Sequence, residues 1–147
     1  MDDLWCDLER LGASVLFAAA IGWEREWRRK PAGLRTHILV ALGAAGFVLI
    51  AMRTAPAELA DPGTAAHIEL SRVIQGIAGG IGFLGAGTII QARGGVEGLT
   101  TAASLWLAAA LGIAAGTGEF AVGVLLSGLA LFILVGLGAL EAKTGTD

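Results

Sequence analysis

The sequence predicts an all-α integral membrane protein, a compact bundle of about five transmembrane helices with its N-terminus outside and its C-terminus inside. Three observations predict it. Of 147 residues, 55% are hydrophobic and 23 are glycine, with no tyrosine, and a mean hydropathy of +0.73 is foreign to ordinary soluble domains. Charge-free stretches recur at or near the roughly 20 residues that a helix needs to cross a hydrocarbon core about 30 Å thick. The basic residues crowd one side of that pattern, as cytoplasmic loops do. One membrane domain, residues 1–147, is expected, with spans at 4–23, 36–52, 73–92, 98–118 and 120–140.

The first span is the least regular. Residues 11–23 are apolar but too short to cross, so the helix must begin near Leu4, which puts Asp7, Glu9 and Arg10 at the outer interface beside Trp5. The opening MDDLWCDLER lacks the basic region of a secretory leader, so this helix is expected to be retained. Cys6 is the single cysteine, which rules out an intrachain disulfide, a cysteine-based metal site and a redox pair.

A knot of charge separates the first two spans. Glu24 and Arg28, and Glu26 and Lys30, stand four apart with the acid first, the favourable order, so the first helix is expected to continue through Arg29. Pro31 should then stop it, Gly33 should allow the reversal and Thr36 should cap the second helix. Glu24 and Arg25 abut the apolar run, and Arg35 and His37 open the next. Charges so close to hydrocarbon are costly unless paired. Arg35 is therefore expected to pair with Glu24 or Glu26, and a functional role for Glu24, Arg25 and Arg35 weighs evenly with simple anchoring.

Orientation follows from Lys and Arg. Five spans place Arg25, Arg28, Arg29, Lys30, Arg35, Arg93 and Lys143 on one side and only Arg10, Arg53 and Arg72 on the other. The formal net charge of −3, with basic residues confined to one membrane edge among acids, carries no nucleic-acid signal.

The third span is small almost all round, with Gly76, Gly80, Gly82, Gly85 and Gly87 among its residues, and Gly76 and Gly80 have the spacing that lets helix backbones meet. It is expected to be the packing centre. The literal GxGxxG at Gly80, Gly82 and Gly85 is no dinucleotide site, since no strand precedes it and no βαβ unit fits around it. A rival reading is that the glycines break the helix and turn its carbonyls toward an ion. The fourth span opens with Thr100, Thr101 and Ser104, hydroxyls that ordinarily bond back to their own helix or to a neighbour, and Gly112 with Gly116 makes a second close-packing pair. The fifth span carries no charge and should face lipid most. Glu58, Asp61, His67 and Glu69 lie between spans two and three, too spread to assign a metal site.

These blocks together carry a resemblance. GWERE followed by PAGLRTHILVALGAA, then Glu69 three residues before Arg72, then GIAGGIGFLGAGTII and GLTTAASLWLAAALG, in that order, resemble the membrane domain of the MgtC/SapB family of bacterial inner-membrane proteins. The likeness covers most of residues 22–118, and the fifth span fits by position. Two departures stand out. Founding members of the family continue into a cytoplasmic ACT-like domain, so a short form is expected here, and the family commonly has Asp where Glu69 stands.

The resemblance implies a multi-pass regulator of the bacterial inner membrane rather than an enzyme. It implies a link to growth under magnesium limitation, stress adaptation and survival inside host cells, by restraint of the F-type ATP synthase. By position, the polar residues it points to are Glu24, Arg25, Glu26, Arg35, Thr36, Glu69, Arg72, Thr100, Thr101 and Ser104. No catalytic, cofactor-binding or metal-ligating residue is expected. The partners it implies are membrane lipid, other membrane proteins including ATP synthase subunits, and further copies of the chain. The competing class is a small Mg²⁺ or proton transporter using the glycine-rich third span. Spans three to five hold no ionisable residue to serve such a path, which tilts the reading toward partner binding.

Overall fold

The computed structural model describes residues 2–54, 62–92 and 95–138, with the backbone alone at residues 2, 62–69 and 92. Glu58, Asp61, Arg93 and Lys143 lie outside the described residues, as do the side chains of His67 and Glu69. Five helices follow in order: α1 Asp2–Trp27, α2 Leu34–Thr54, α3 Pro62–Ala86, α4 Leu99–Thr117 and α5 Phe120–Leu131, the last running on as a π-helical segment Phe132–Leu137. A short antiparallel hairpin, β1 Ile90–Ala92 and β2 Gly95–Glu97, joins α3 to α4. On length and composition, α2, α4 and the stretch Phe120–Leu137 can each cross a membrane, while the apolar part of α3, Leu70–Ala86, is shorter.

The hairpin corrects the third span, expected to run to residue 92. The helix stops at Ala86, the Thr88 hydroxyl donates to the Gly85 carbonyl at 2.7 Å, and the chain turns back with Ile90 opposite Glu97. Gly98, at φ 88°, lets α4 start in a left-handed conformation, and a side chain there would strike the Thr88 carbonyl. The fifth span also differs, since its last described turns are π-helical rather than α.

α4 is the centre of the bundle, and it touches α1, α2, α3 and α5. Buried residues cover most of its circumference, among them Leu105, Ala108, Ala109, Leu111, Gly112, Ala115 and Gly116. Small side chains allow this, because a helix without bulk can be approached from every side. At Gly112 an added methyl would run into the Ala41 backbone, and at Gly116 it would lie 3.0 Å from the Ala45 carbonyl and from Val48. Gly22 of α1 is equally close to Leu34 and His37, and Gly123 of α5 receives the Phe17 ring. α5 is otherwise the outermost helix, buried only at Gly123, Ser127 and Ala130, one stripe at helical spacing.

The expectation that α3 is the packing centre is overturned. A methyl at Gly76, Gly79, Gly80 or Gly82 would meet nothing within 4 Å, and the nearest atom to one at Gly85 is the Ala102 Cβ at 3.5 Å. At Gly87 it would meet only α3's own carbonyls. The physical reason is that glycine permits close approach without compelling it. α4 sets Gly112 and Gly116 against α2, whereas among the described residues nothing stands opposite Gly76, Gly79, Gly80 and Gly82 of α3.

The end of the bundle near Trp5 is clasped by charge. Arg53 at the end of α2 forms an ion pair with Asp7, and Arg10 donates to the Gly116 carbonyl at 3.0 Å. Trp5 and Trp23 are exposed on α1 18 residues apart, about 27 Å at the α-helical rise. That matches the spacing of two interfacial aromatic belts.

Gly112→Leu is expected to lower the detergent melting temperature sharply, since overpacking costs about 1–3 kcal/mol and the obstacle here is backbone. Gly80→Leu, at an open position, should melt like the unaltered protein. Equal melting of both variants would remove the α2–α4 contact from its central place.

Candidate functional site

α1 does not continue through Arg29. It ends at Trp27, where the Arg29 N–H bonds the Glu26 carbonyl at 2.9 Å and the Lys30 N–H bonds the Arg25 carbonyl at 3.0 Å. With Arg29 at φ 53°, this is a Schellman closure built on a non-glycine residue. The helix therefore stops before Pro31 acts.

The turn fixes the charges. Arg25 is 3% exposed and holds Glu24, 9% exposed, through Nε at 2.6 Å and Nη2 at 3.0 Å. Arg28 Nε meets Glu24 Oε1, which it shares with Arg25 Nη2, at 2.7 Å, the expected i,i+4 pair. The second expected pair, Glu26 with Lys30, is absent among the described residues. Glu26 instead reaches across the turn and accepts the Leu34 N–H at 2.8 Å, so it, and not Thr36, caps α2. Gly33 serves that reach, because a methyl there would lie 2.7 Å from the Glu26 carboxylate.

His37 joins α2 to α4. Its ring is fully buried, with Nδ1–H donating to the Gly33 carbonyl at 2.8 Å and Nε2 lying 3.0 Å from the Ser104 hydroxyl. Ser104 also stands 2.8 Å from the Thr101 carbonyl, so its single proton serves one neighbour or the other.

Beside this tie a pocket of about 670 Å³ opens between the α1–α2 turn, the hairpin, the start of α4 and the π-helical end of α5. Arg25, Arg28, Lys30, Thr88, Glu97, Thr100 and Thr101 supply its polar lining. Glu24, Arg25, Thr100, Thr101 and Ser104, predicted from sequence, thus converge at one end of the bundle. Arg28, Lys30, Thr88 and Glu97 join them without having been predicted as site residues.

Arg35 and Thr36 fall elsewhere. Arg35 is exposed and forms no ion pair among the described residues, since Glu24 is taken by Arg25 and Arg28 and Glu26 by a backbone N–H. Both residues stand at one end of an apolar groove of about 790 Å³ between α2 and α3, walled by Val40, Phe47, Gly76, Gly80 and Leu84. Arg72 is exposed on α3 and lines neither cavity.

With this geometry in hand, comparison with known proteins is decisive. The model of the MgtC family matches residues 11–143. The chain belongs to the MgtC family. Among its relatives, Protein MgtC of Salmonella typhimurium (strain 14028s / SGSC 2262) is 47% identical over 108 residues, covering 74% of this chain and 42% of that protein. Protein SrpB of Synechococcus elongatus is 42% identical over 146 residues, covering 93% of this chain and 78% of SrpB. YhiD of Escherichia coli (strain K12), named as a candidate magnesium transporter, is 38% identical over 127 residues, covering 85% and 57%. This member of the MgtC family therefore spans less than half the length of the Salmonella protein. No solved structure matches it.

The buried ion pair gives a test. Arg25→Gln should destabilise the protein by up to about 3–5 kcal/mol, softened by whatever Arg28 retains, because Glu24 is left buried beside an uncharged neighbour. The Glu24→Gln/Arg25→Gln double variant should melt closer to the unaltered protein than either single variant. Arg35→Ala, with no partner to lose, should leave melting unchanged. Additive losses in the Glu24/Arg25 cycle would mean the two do not act as a pair.

Proposed function

We propose that this protein is a regulator of the bacterial inner membrane that acts through helix-to-helix contact. It serves growth under magnesium limitation and has the F-type ATP synthase as its partner. The observation that carries this reading is the open glycine face of α3. Gly76, Gly79, Gly80 and Gly82 meet nothing within 4 Å, as do Gly43 and Gly46 on α2, whereas Gly22, Gly112, Gly116 and Gly123 are filled by neighbouring atoms. A groove walled by Gly76 and Gly80 accepts a foreign helix at backbone distance, with Arg35 at its mouth to meet an acidic partner residue.

The name of YhiD favours the second reading, transport of magnesium. Such a path would need α3 to break and present carbonyls. α3 runs unbroken from Pro62 to Ala86, through all its glycines except Gly87, which supports the regulatory reading over transport. Enzymatic activity has no place in it.

In inverted membrane vesicles, the protein should lower ATP-driven proton pumping, and Gly80→Leu, which fills the groove without disturbing the fold, should abolish that effect. In liposomes it should pass neither Mg²⁺ nor protons above empty vesicles. Saturable Mg²⁺ flux that Gly82→Leu removes would overturn the reading in favour of transport. The proposed orientation, N-terminus outside, requires a reporter fused after residue 61 to behave as external and one fused after residue 143 as cytoplasmic.

A further inference from the structure

Six of the seven polar side chains that line the pocket at the α1–α2 turn can donate hydrogen bonds, the rest of the lining being apolar, and two of those donors belong to buried residues with unspent capacity. Arg25 is 3% exposed, and its bonds to Glu24 use Nε and Nη2, leaving Nη1 without a partner among the described residues. Thr101 is 2% exposed, and its hydroxyl makes no hydrogen bond among the described residues. Both residues line the cavity. Neither atom is sealed off, since the Ser127 hydroxyl is the one fully buried side-chain polar atom without a partner among the described residues, so both stay open to whatever fills the cavity.

The surroundings define what that something is. α4 begins at this pocket, and its N-cap Gly98 has no side chain to close the helix end. Its first internal bond runs from Ala102 N–H to the Gly98 carbonyl, so the N–H groups of Leu99, Thr100 and Thr101 have no partner within the helix. These donors and the positive end of the helix dipole favour an anion. Arg28 and Lys30 add two more cations, and Lys30 forms no ion pair among the described residues. Among the described residues, Glu24 and Glu97 stand against Arg25, Arg28 and Lys30, so the site is net positive.

We propose that this pocket binds a phosphate group, with Arg25 and Thr101 as its inner contacts, the start of α4 as its cradle and Arg28 and Lys30 at its rim. A tetrahedral, multiply charged oxyanion uses donors arriving from several directions, as these do, whereas a halide has neither the size nor the acceptor count. A volume of about 670 Å³ leaves room for a substituent on the phosphate. The group comes either from a soluble phosphate or from an anionic lipid headgroup, since the pocket lies where apolar helices end. This inference is independent of the partner-helix reading, which concerns the groove between α2 and α3.

The test uses the full chain in phosphatidylcholine nanodiscs, titrated with inorganic phosphate and followed by calorimetry and phosphorus NMR. Saturable binding is expected, with chloride unable to compete at equal ionic strength. Thr101→Val, which keeps shape and charge, should weaken it about tenfold or more, as loss of a hydrogen bond to a charged group does. Lys30→Gln should weaken it less and flatten its salt dependence, and because Lys30 is exposed this variant serves even where Thr101→Val alters folding. Repeating the titration in nanodiscs doped with phosphatidic acid separates the sources. Blocked phosphate binding identifies the headgroup as occupant, and undiminished binding identifies a soluble phosphate. Absence of saturable binding in phosphatidylcholine nanodiscs, or equal binding by the unaltered protein and both variants, would overturn the proposal.

Discussion

The backbone contact between α2 and α4 is the constraint on which the rest depends. Lipid tails are as apolar as leucine, so burying leucine between helices gains little inside a bilayer, and close packing has to supply the cohesion. Gly112 and Gly116 let α4 come down on the carbonyls of Ala41 and Ala45, and alanines at positions 44, 108, 109 and 115 keep the seam narrow. One turn toward the start of α2, the same approach brings the His37 ring within 3.0 Å of Ser104. Were the two helices a few ångströms further apart, that bond would be lost. The Thr101 end of α4 would then no longer sit over Arg25. The polar end of the bundle is thus positioned by contacts several turns away.

Much of this was legible in the residues. The absence of charge in residues 36–52, 98–118 and 120–140 predicts α2, α4 and α5 to within a few residues at their α4 and α5 starts, because charge near hydrocarbon is what a span must exclude. Glu24 with Arg28 was legible from spacing alone. The hairpin was not, because Ile89 and Ile90 continue the apolar run of the third span and so mask a strand inside it. The signal that would have found it is Gly94-Gly95 flanked by Ile89, Ile90 and Val96, a turn dipeptide between β-branched residues. His37 bonding Ser104 lies 67 positions apart in sequence, and no local pattern announces such a pair.

The glycines teach a sharper lesson. Counting them favoured α3 as the centre of packing, yet the decisive glycines belong to α4. A glycine is informative about packing only together with what faces it, and a single chain does not reveal its partner's face. Gly112 opposes Ala41, whereas Gly76 and Gly80 open on a groove that no helix of this chain fills. The same residue type therefore marks an internal seam in one helix and an unoccupied surface in another. Only burial separates the two.

The Glu24–Arg25 pair shows how local geometry sets up chemistry. Neighbouring residues on a helix project about 100° apart and do not ordinarily meet. Here the two side chains fold toward one another because burial, at 9% and 3% exposure, keeps both charges from water. That pairing engages one edge of the guanidinium through Nε and Nη2 and leaves Nη1 over. Arg28 meanwhile shares the Glu24 Oε1 with Arg25 Nη2, so the carboxylate is fully engaged and cannot turn to quench that remaining nitrogen. An arginine held flat by its own neighbour, with its spare donors directed away from the acid that holds it, is a fixed source of positive potential. Beside the uncapped start of α4, it needs no rearrangement to receive an oxyanion.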